Sequence, residues 1–227
     1  MNIKRKMLII LLALIFLLVT TSCVSFLDFQ EDTSKISPAI TQETVTAPVP
    51  QKTYQVGTMG PAGGLVFYDK GSYSDGWRYL EMAPEETDMK EMAWGGSGIE
   101  IKNTSPNIGT GLENTKIIIS LIGNNDKKQG NSYPALLCDS LVYNGFEDWF
   151  LPSIEELKLI YNNLIVPEIG GFTKNAYGSI YSLWSSTVDT SGNNYLAFAF
   201  NLNSDNGSIS GSSRDFPGPH VRAIRRF

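Results

Sequence analysis

Few residues in this chain of 227 could do chemistry: it has two cysteines and one histidine. Cys23 follows an apolar run and small residues, a setting for acylation. Cys138 lies beside Leu137 in an apolar helical pattern and reads as a buried small hydrophobe. A nucleophilic thiol there would need a basic partner, and nothing places His220 nearby. One histidine also excludes the usual multi-histidine metal sites. Asp139, Glu147 and Asp148 offer paired carboxylates for acid–base work. Asp148, however, abuts Trp149, which a water-soluble chain buries, so hydrogen bonding to nearby backbone is its expected role. Asn201, Asn203 and Asp205 alternate oxygen side chains ahead of Gly207, faintly like a calcium loop, but no bidentate Glu follows. A hairpin turn needs the same residue types. The chain is therefore expected to be non-enzymatic, with no catalytic residue, cofactor or metal.

The elements that must position these residues centre on Asn144 to Leu157. Trp149, Phe150 and Leu151 are a bulky apolar run, Pro152 holds Leu151 extended, and Ser153-x-x-Glu156 is a capping box. Ile154, Leu157, Ile160, Tyr161 and Leu164 then keep helical spacing to about Leu164. Upstream, Val56 to Gly64 is a glycine-rich turn, Leu65 to Tyr68 a strand closed by Asp69-Lys-Gly, and Gly76 to Ala83 its hairpin partner. The glycine-rich piece precedes a strand, whereas a phosphate cradle sits between strand and helix. Ile108 to Ile119 mixes strand-forming isoleucines with a helical stripe through Leu112, Thr115, Ile118, Ile119 and Ile122, and is expected as a helix ended by Gly123. Pro134 opens another, lined by Leu137, Cys138, Leu141 and Val142 and stopped by Gly145. Tyr181 to Val188, Tyr195 to Asn201 and Val221 to Phe227 read as strands, with a weaker one near Ser208 to Ser210. In the second, Phe198 and Phe200 share one face and Ala197 and Ala199 the other. Phe227, last in the chain, is expected to be pinned into a sheet.

Residues 1–22 read as a signal peptide: Lys4-Arg5-Lys6, an apolar run from Met7 to Val19, then Thr20-Thr21-Ser22 before Cys23. The run is short for a membrane span; an uncleaved anchor is the alternative. The formal charge is −5; losing Lys4, Arg5 and Lys6 leaves 15 basic residues against 23 acidic, or −8. That sign disfavours nucleic acid and, globally, anionic polysaccharide, although Arg214, Arg222, Arg225 and Arg226 could form a local basic patch. Residues 23–52, rich in Ser, Thr, Gln, Glu and Pro, read as a flexible tether. Residues 53–227 are the folded domain.

Two resemblances follow from these residues. The placement of Cys23 resembles the lipobox of bacterial lipoproteins, with Thr20 where Leu is commonest. This implies a cysteine acylated with palmitate-like chains, two or three of which anchor stably, and a place in the cell envelope at the outer membrane. Gly63-Gly-Leu-Val-Phe-Tyr-Asp-Lys-Gly, Gly76-Trp-Arg-Tyr-Leu-Glu, Trp94-Gly, Ile108-Gly-Thr-Gly, Leu137-Cys-Asp, Asp148-Trp-Phe-Leu-Pro-Ser, Leu183-Trp-Ser-Ser and Val221-Arg-Ala-Ile-Arg together resemble the Lcl C-terminal-like domain family. What that resemblance implies is an α+β, C-type-lectin-like fold with paired N- and C-terminal strands, two to three helices and long loops. The family occurs on exported bacterial proteins, some of them adhesins, and no enzymatic residues carry over. Calcium-dependent lectins use Trp-Asn-Asp where this chain has Leu183-Trp-Ser-Ser, and hydroxyls replace carboxylates poorly on a hard cation.

The function expected is adhesion-like binding of a glycan or a matrix or envelope protein by loops at Glu85 to Ser105, Gly170 to Tyr177 and Ser204 to Pro219. Trp94, Asn201, Asn203, Asp205 and Arg214 are the candidate ligand-binding residues. Trp149 and Trp184 are expected in the core. The alternative is a structural envelope lipoprotein with no ligand site, and a concave cluster of exposed aromatics would separate the two. A strongly shifted carboxylate or Cys138 in a cleft would instead favour an enzyme.

Overall fold

A computed structural model describes residues 52–124, 132–171, 182–190, 195–202 and 206–227. Residues 1–22 and residues 23–51 of the expected tether, Cys23 included, lie outside them. Among the described residues no helix is long and apolar enough to cross a membrane.

The fold is α+β, with two three-stranded antiparallel sheets and three α-helices among the described residues. Strand β1 (Leu65–Ser74) pairs with β2 (Trp77–Met82). Their hairpin closes at Asp75 and Gly76, both at positive φ, as a tight two-residue turn requires. Asp69-Lys-Gly, expected as the closing turn, instead lies inside β1, where the register slips between Asp69 and Ser74. The C-terminal strand β6 (Ile224–Arg226) pairs with β2 and not, as expected, with β1. The start of β1 is already engaged: Val66 donates to Thr58 and accepts from Gly57, at 2.9 and 2.7 Å. Phe227 is pinned, its carbonyl accepting from the Arg78 and Tyr79 amides and its own amide donating to Tyr79.

The second sheet holds β3 (Ser182–Val188), β4 (Leu196–Asn201) and β5 (Ser208–Ser213) in that order. The C-terminal stretch joins the sheets. His220 accepts from Trp184, Val221 bridges Met89, and Ile224 exchanges both backbone bonds with Phe150. Period-two alternation in β4 feeds two apolar clusters. Ala197 and Ala199 belong to the cluster of Trp94, Trp149 and Trp184, while Phe200 belongs to that of Phe67, Phe150, Leu157 and Ile160.

Helix α1 (Gly111–Ile122) ends at Gly123 as expected and buries Thr115, Ile118 and Ile122 of its stripe, while Leu112 and Ile119 are half-buried. Helix α2 (Pro134–Asp139) stops earlier than expected. The chain turns at Ser140, leaving Leu141 outside the helix and Val142 67 % exposed. Helix α3 (Ile154–Ile160) starts from the capping box, with the Ser153 amide donating to Glu156 at 2.6 Å and the Glu156 amide to Ser153 Oγ at 3.3 Å. Its stripe continues through a π-turn at Tyr161–Ile165, which buries Leu164.

Candidate functional site

Of the residues that could do chemistry, Asp139, Glu147 and Asp148 are exposed, whereas Cys138 and Glu156 are buried. Cys138 is fully buried, and desolvation pushes its thiol far above the ordinary value. Glu156 is buried, with no salt bridge among the described residues. It accepts amide hydrogens from Ser153 and Gly109, and burial raises its carboxyl above the usual range against those bonds. Gly111 packs against this carboxylate so closely that a Cβ there would overlap it.

Asp148 corrects the sequence reading: its partner is a side chain, not nearby backbone. Arg225 grips it through Nε and Nη2 at 2.7 and 2.8 Å, and donates Nη1 to Glu81 at 2.6 Å. Glu81 is fully buried, and the Ala62 and Gly64 amides of the glycine-rich turn also point at it. A cradle of phosphate-loop composition therefore holds the protein's own carboxylate. Burial raises Glu81 above the usual carboxylate range, with Arg225 pulling it back.

Of the expected ligand-binding residues, Trp94 and Arg214 are brought together, but in the interior. Trp94 is 1 % exposed, and its indole donates to the Ser185 carbonyl at 2.7 Å. Arg214 is fully buried over the Trp94 ring and donates to the carbonyls of Gly95, Gly96 and Ile99. Both fasten the Glu85 to Ser105 loop and present no ligand surface. Arg222 and Arg225 are buried as well, so the anticipated basic patch does not form. Asn201 ends β4 opposite Ser208 of the antiparallel strand β5. Asn203, Asp205 and most of the Gly170 to Tyr177 loop lie outside the described residues. Trp149 and Trp184 are in the core as expected.

The concave aromatic cluster lies elsewhere. A cleft of about 220 Å³ is lined by Lys52, Thr53, Tyr54, Tyr73, Arg78, Tyr79 and Phe227. The hairpin supplies Tyr73 and Tyr79, and the chain end supplies Phe227. Tyr54 meets the Tyr79 and Phe227 rings edge-on at 5.4 and 5.0 Å, while Tyr79 and Phe227 stack at 5.4 Å. Tyr73 is 56 % exposed at the rim. Lys52 lies over Tyr54 and Arg78 over Tyr79. Arg78 is fixed by a bidentate pair with Asp69 at 2.8 and 2.9 Å, which holds the Asp69 carboxyl below its usual range. Apolar faces with a cationic and hydroxyl rim can bind a ring that has one greasy face and polar edges. Sequence reading missed this cleft because its parts come from residues 52–54, 73–79 and 227. The one local signal was Arg78 between Trp77 and Tyr79 on an alternating strand.

No family model, no curated protein and no solved structure matches the chain.

Proposed function

We propose that this chain is a lipid-anchored, non-catalytic binding module of the bacterial cell envelope, lectin-like in fold, that recognises a glycan in the aromatic cleft. The observation that carries the reading is the convergence of Tyr54, Tyr73, Tyr79 and Phe227 on one recess with Lys52 and Arg78 at its edge. Aromatic rings bury the C–H face of a sugar with little loss of conformational freedom, and rim donors meet its hydroxyls. Supporting it, Cys138, Glu81 and Glu156 are held as internal ties with their reactive atoms away from solvent. The anchor is Cys23, and its replacement by Ser should release the chain from membranes.

The test is binding of the full chain to immobilised glycans, with calcium and with chelator. Tyr73→Ala removes an exposed ring and should leave folding intact while weakening binding by about tenfold or more. Unchanged affinity in that variant would place recognition elsewhere. Silence across a broad panel would favour the second reading, a structural envelope domain, which the inward turn of Trp94 and Arg214 supports.

A further inference from the structure

Among the described residues, one sheet edge is left both open and undefended. The outer side of β3 is taken: Trp184 and Ser186 donate to the His220 and Pro152 carbonyls, and His220 donates to Ser182. In β6, Ile224 exchanges both backbone bonds with Phe150. Strand β1 is engaged at its start by Gly57 and Thr58, and beyond them it carries Asp69, Lys70 and a register slip. Charges and irregularity of that kind discourage a further strand.

Strand β5 has none of these devices. Besides its ladder to β4, its one backbone bond among the described residues is Phe216 donating to Ser213. Five of its six residues are exposed, so nothing covers it. Ser208-Ile-Ser-Gly-Ser-Ser holds no charge and no proline, and it pairs with β4 at all six positions without a slip. An open, straight row of amides and carbonyls is a template for another strand.

The occupant this edge fits is a second copy of itself. A foreign peptide added to a sheet edge is selected by side-chain pockets along the strand, and β5 offers only serines, a glycine and one isoleucine. Self-pairing needs register alone. Antiparallel pairing about a two-fold axis, with Ser210 facing its own counterpart, sets Ile209 opposite Gly211 of the other copy, twice. The one large side chain then meets the one position without any, and the backbones can close. Exposed apolar surface gathers here too: Ile209 is 47 % exposed, and Tyr195 and Phe216, held beside the end of the strand by Arg214 and Ser213, are 54 % exposed each.

We propose that two copies of the chain associate through β5, antiparallel and centred on Ser210, joining their three-stranded sheets into one. The surface shares no residue with the aromatic cleft and does not depend on the glycan reading.

Sedimentation equilibrium of the full chain tests it. A dimer should form by about 0.1 mM. The chain has a net charge of −5 and Asp189 stands beside Gly211, so like charges oppose the pairing and added salt should strengthen it. Ser210→Lys sets two cations face to face and should weaken association by at least about tenfold with far-UV circular dichroism unchanged, whereas Ser210→Thr should keep the dimer. Under mild oxidation Ser210→Cys should cross-link to its own counterpart beyond the wild-type background. Ser208→Cys should do so only when mixed with Ser212→Cys. Cross-linking reads the register even where Ser210→Lys fails to fold. A monomer up to about 1 mM would overturn self-pairing and leave the edge to a foreign strand. A dimer that Ser210→Lys leaves intact, that salt weakens, or that cross-links at Ser208 as readily as at Ser210 would overturn it as well.

Discussion

Arg225→Met is the most informative perturbation of this fold, because Arg225 holds two carboxylates in different surroundings. Toward Glu81 the pair is dry, with side chains 6 and 0 % exposed; toward Asp148 it is half wet, the acid being 52 % exposed. Methionine keeps much of the packing against Phe146, which Arg225 overlies at 4.3 Å, so the charge is what is removed. Glu81 would then stay buried with only the Ala62 and Gly64 amides. Breaking a buried pair from one side costs about 3–5 kcal/mol, whereas an exposed arm is worth at most about 1 kcal/mol. Arg225→Met should therefore lose about 3–5 kcal/mol, and Asp148→Asn less than about 1 kcal/mol. In a domain of this size the first should lower Tm by on the order of 10 °C.

Urea denaturation at pH 7 of wild type, Arg225→Met, Glu81→Gln and the double variant completes the cycle. The double variant removes both buried charges, so its loss should fall short of the summed single losses by about 2 kcal/mol or more. Acidification supplies a second readout. Burial already raises Glu81, and Arg225 is what pulls it back. Without the cation its folded pKa rises further above the unfolded value. The folded variant then binds the extra proton, and its deficit against wild type should narrow as pH falls from neutrality toward 5. Strict additivity, or an Asp148→Asn loss equal to that of Arg225→Met, would show that the Glu81 arm does not carry the energy.

Two further outcomes follow from the buried groups. Burial and the raised folded pKa of Glu156 place its stabilising contribution below the ordinary glutamate range, so it is lost as pH rises through the folded value. The advantage of wild type over Glu156→Gln in urea denaturation should therefore shrink from about pH 4 to neutrality, and an advantage that grows would refute the assignment. Cys138, with its thiol raised by burial, should react with a disulfide reagent at pH 8 only as fast as the domain unfolds, and Cys138→Ala should cost about 1 kcal/mol; rapid labelling of the native chain would contradict the packing.

What the sequence made legible was local. Ser153-x-x-Glu156 specifies a capping box because both partners lie within one turn. The Phe/Ala alternation of β4 names its two faces because strand geometry has period two. The α2 boundary was harder: Leu141 and Val142 continue the apolar pattern, yet the backbone has already turned at Ser140. The β1 hairpin was misplaced for a similar reason, since Asp69-Lys-Gly has turn composition but sits at a register slip inside a longer ladder. Side-chain partners were least legible. Arg225 meets Asp148 across 77 positions and Glu81 across 144, and Arg214 meets Gly95 across 119. No spacing rule spans such distances, and a mild net charge makes arginines read as surface.

These long-range pairs share one physical logic. Arg214 takes the carbonyls of Gly95, Gly96 and Ile99; Glu81 takes the amides of Ala62 and Gly64; Glu156 takes that of Gly109. In each case a buried charge gathers the backbone of a loop that has no ladder of its own. Loop-rich chains must satisfy such groups somewhere, because an unpaired buried N–H or C=O costs about as much as a lost hydrogen bond. A central ion that collects several of them from a glycine-bearing loop does so while fixing the loop's shape. Gly60 and Gly64 permit that approach: a Cβ at either would overlap Glu81 or the Met82 carbonyl. Gly60, Gly96 and Gly111 therefore mark where the chain closes on the internal charged groups of Glu81, Arg214 and Glu156, and Arg222, buried like the others, departs from the pattern with Nε and Nη2 unengaged among the described residues.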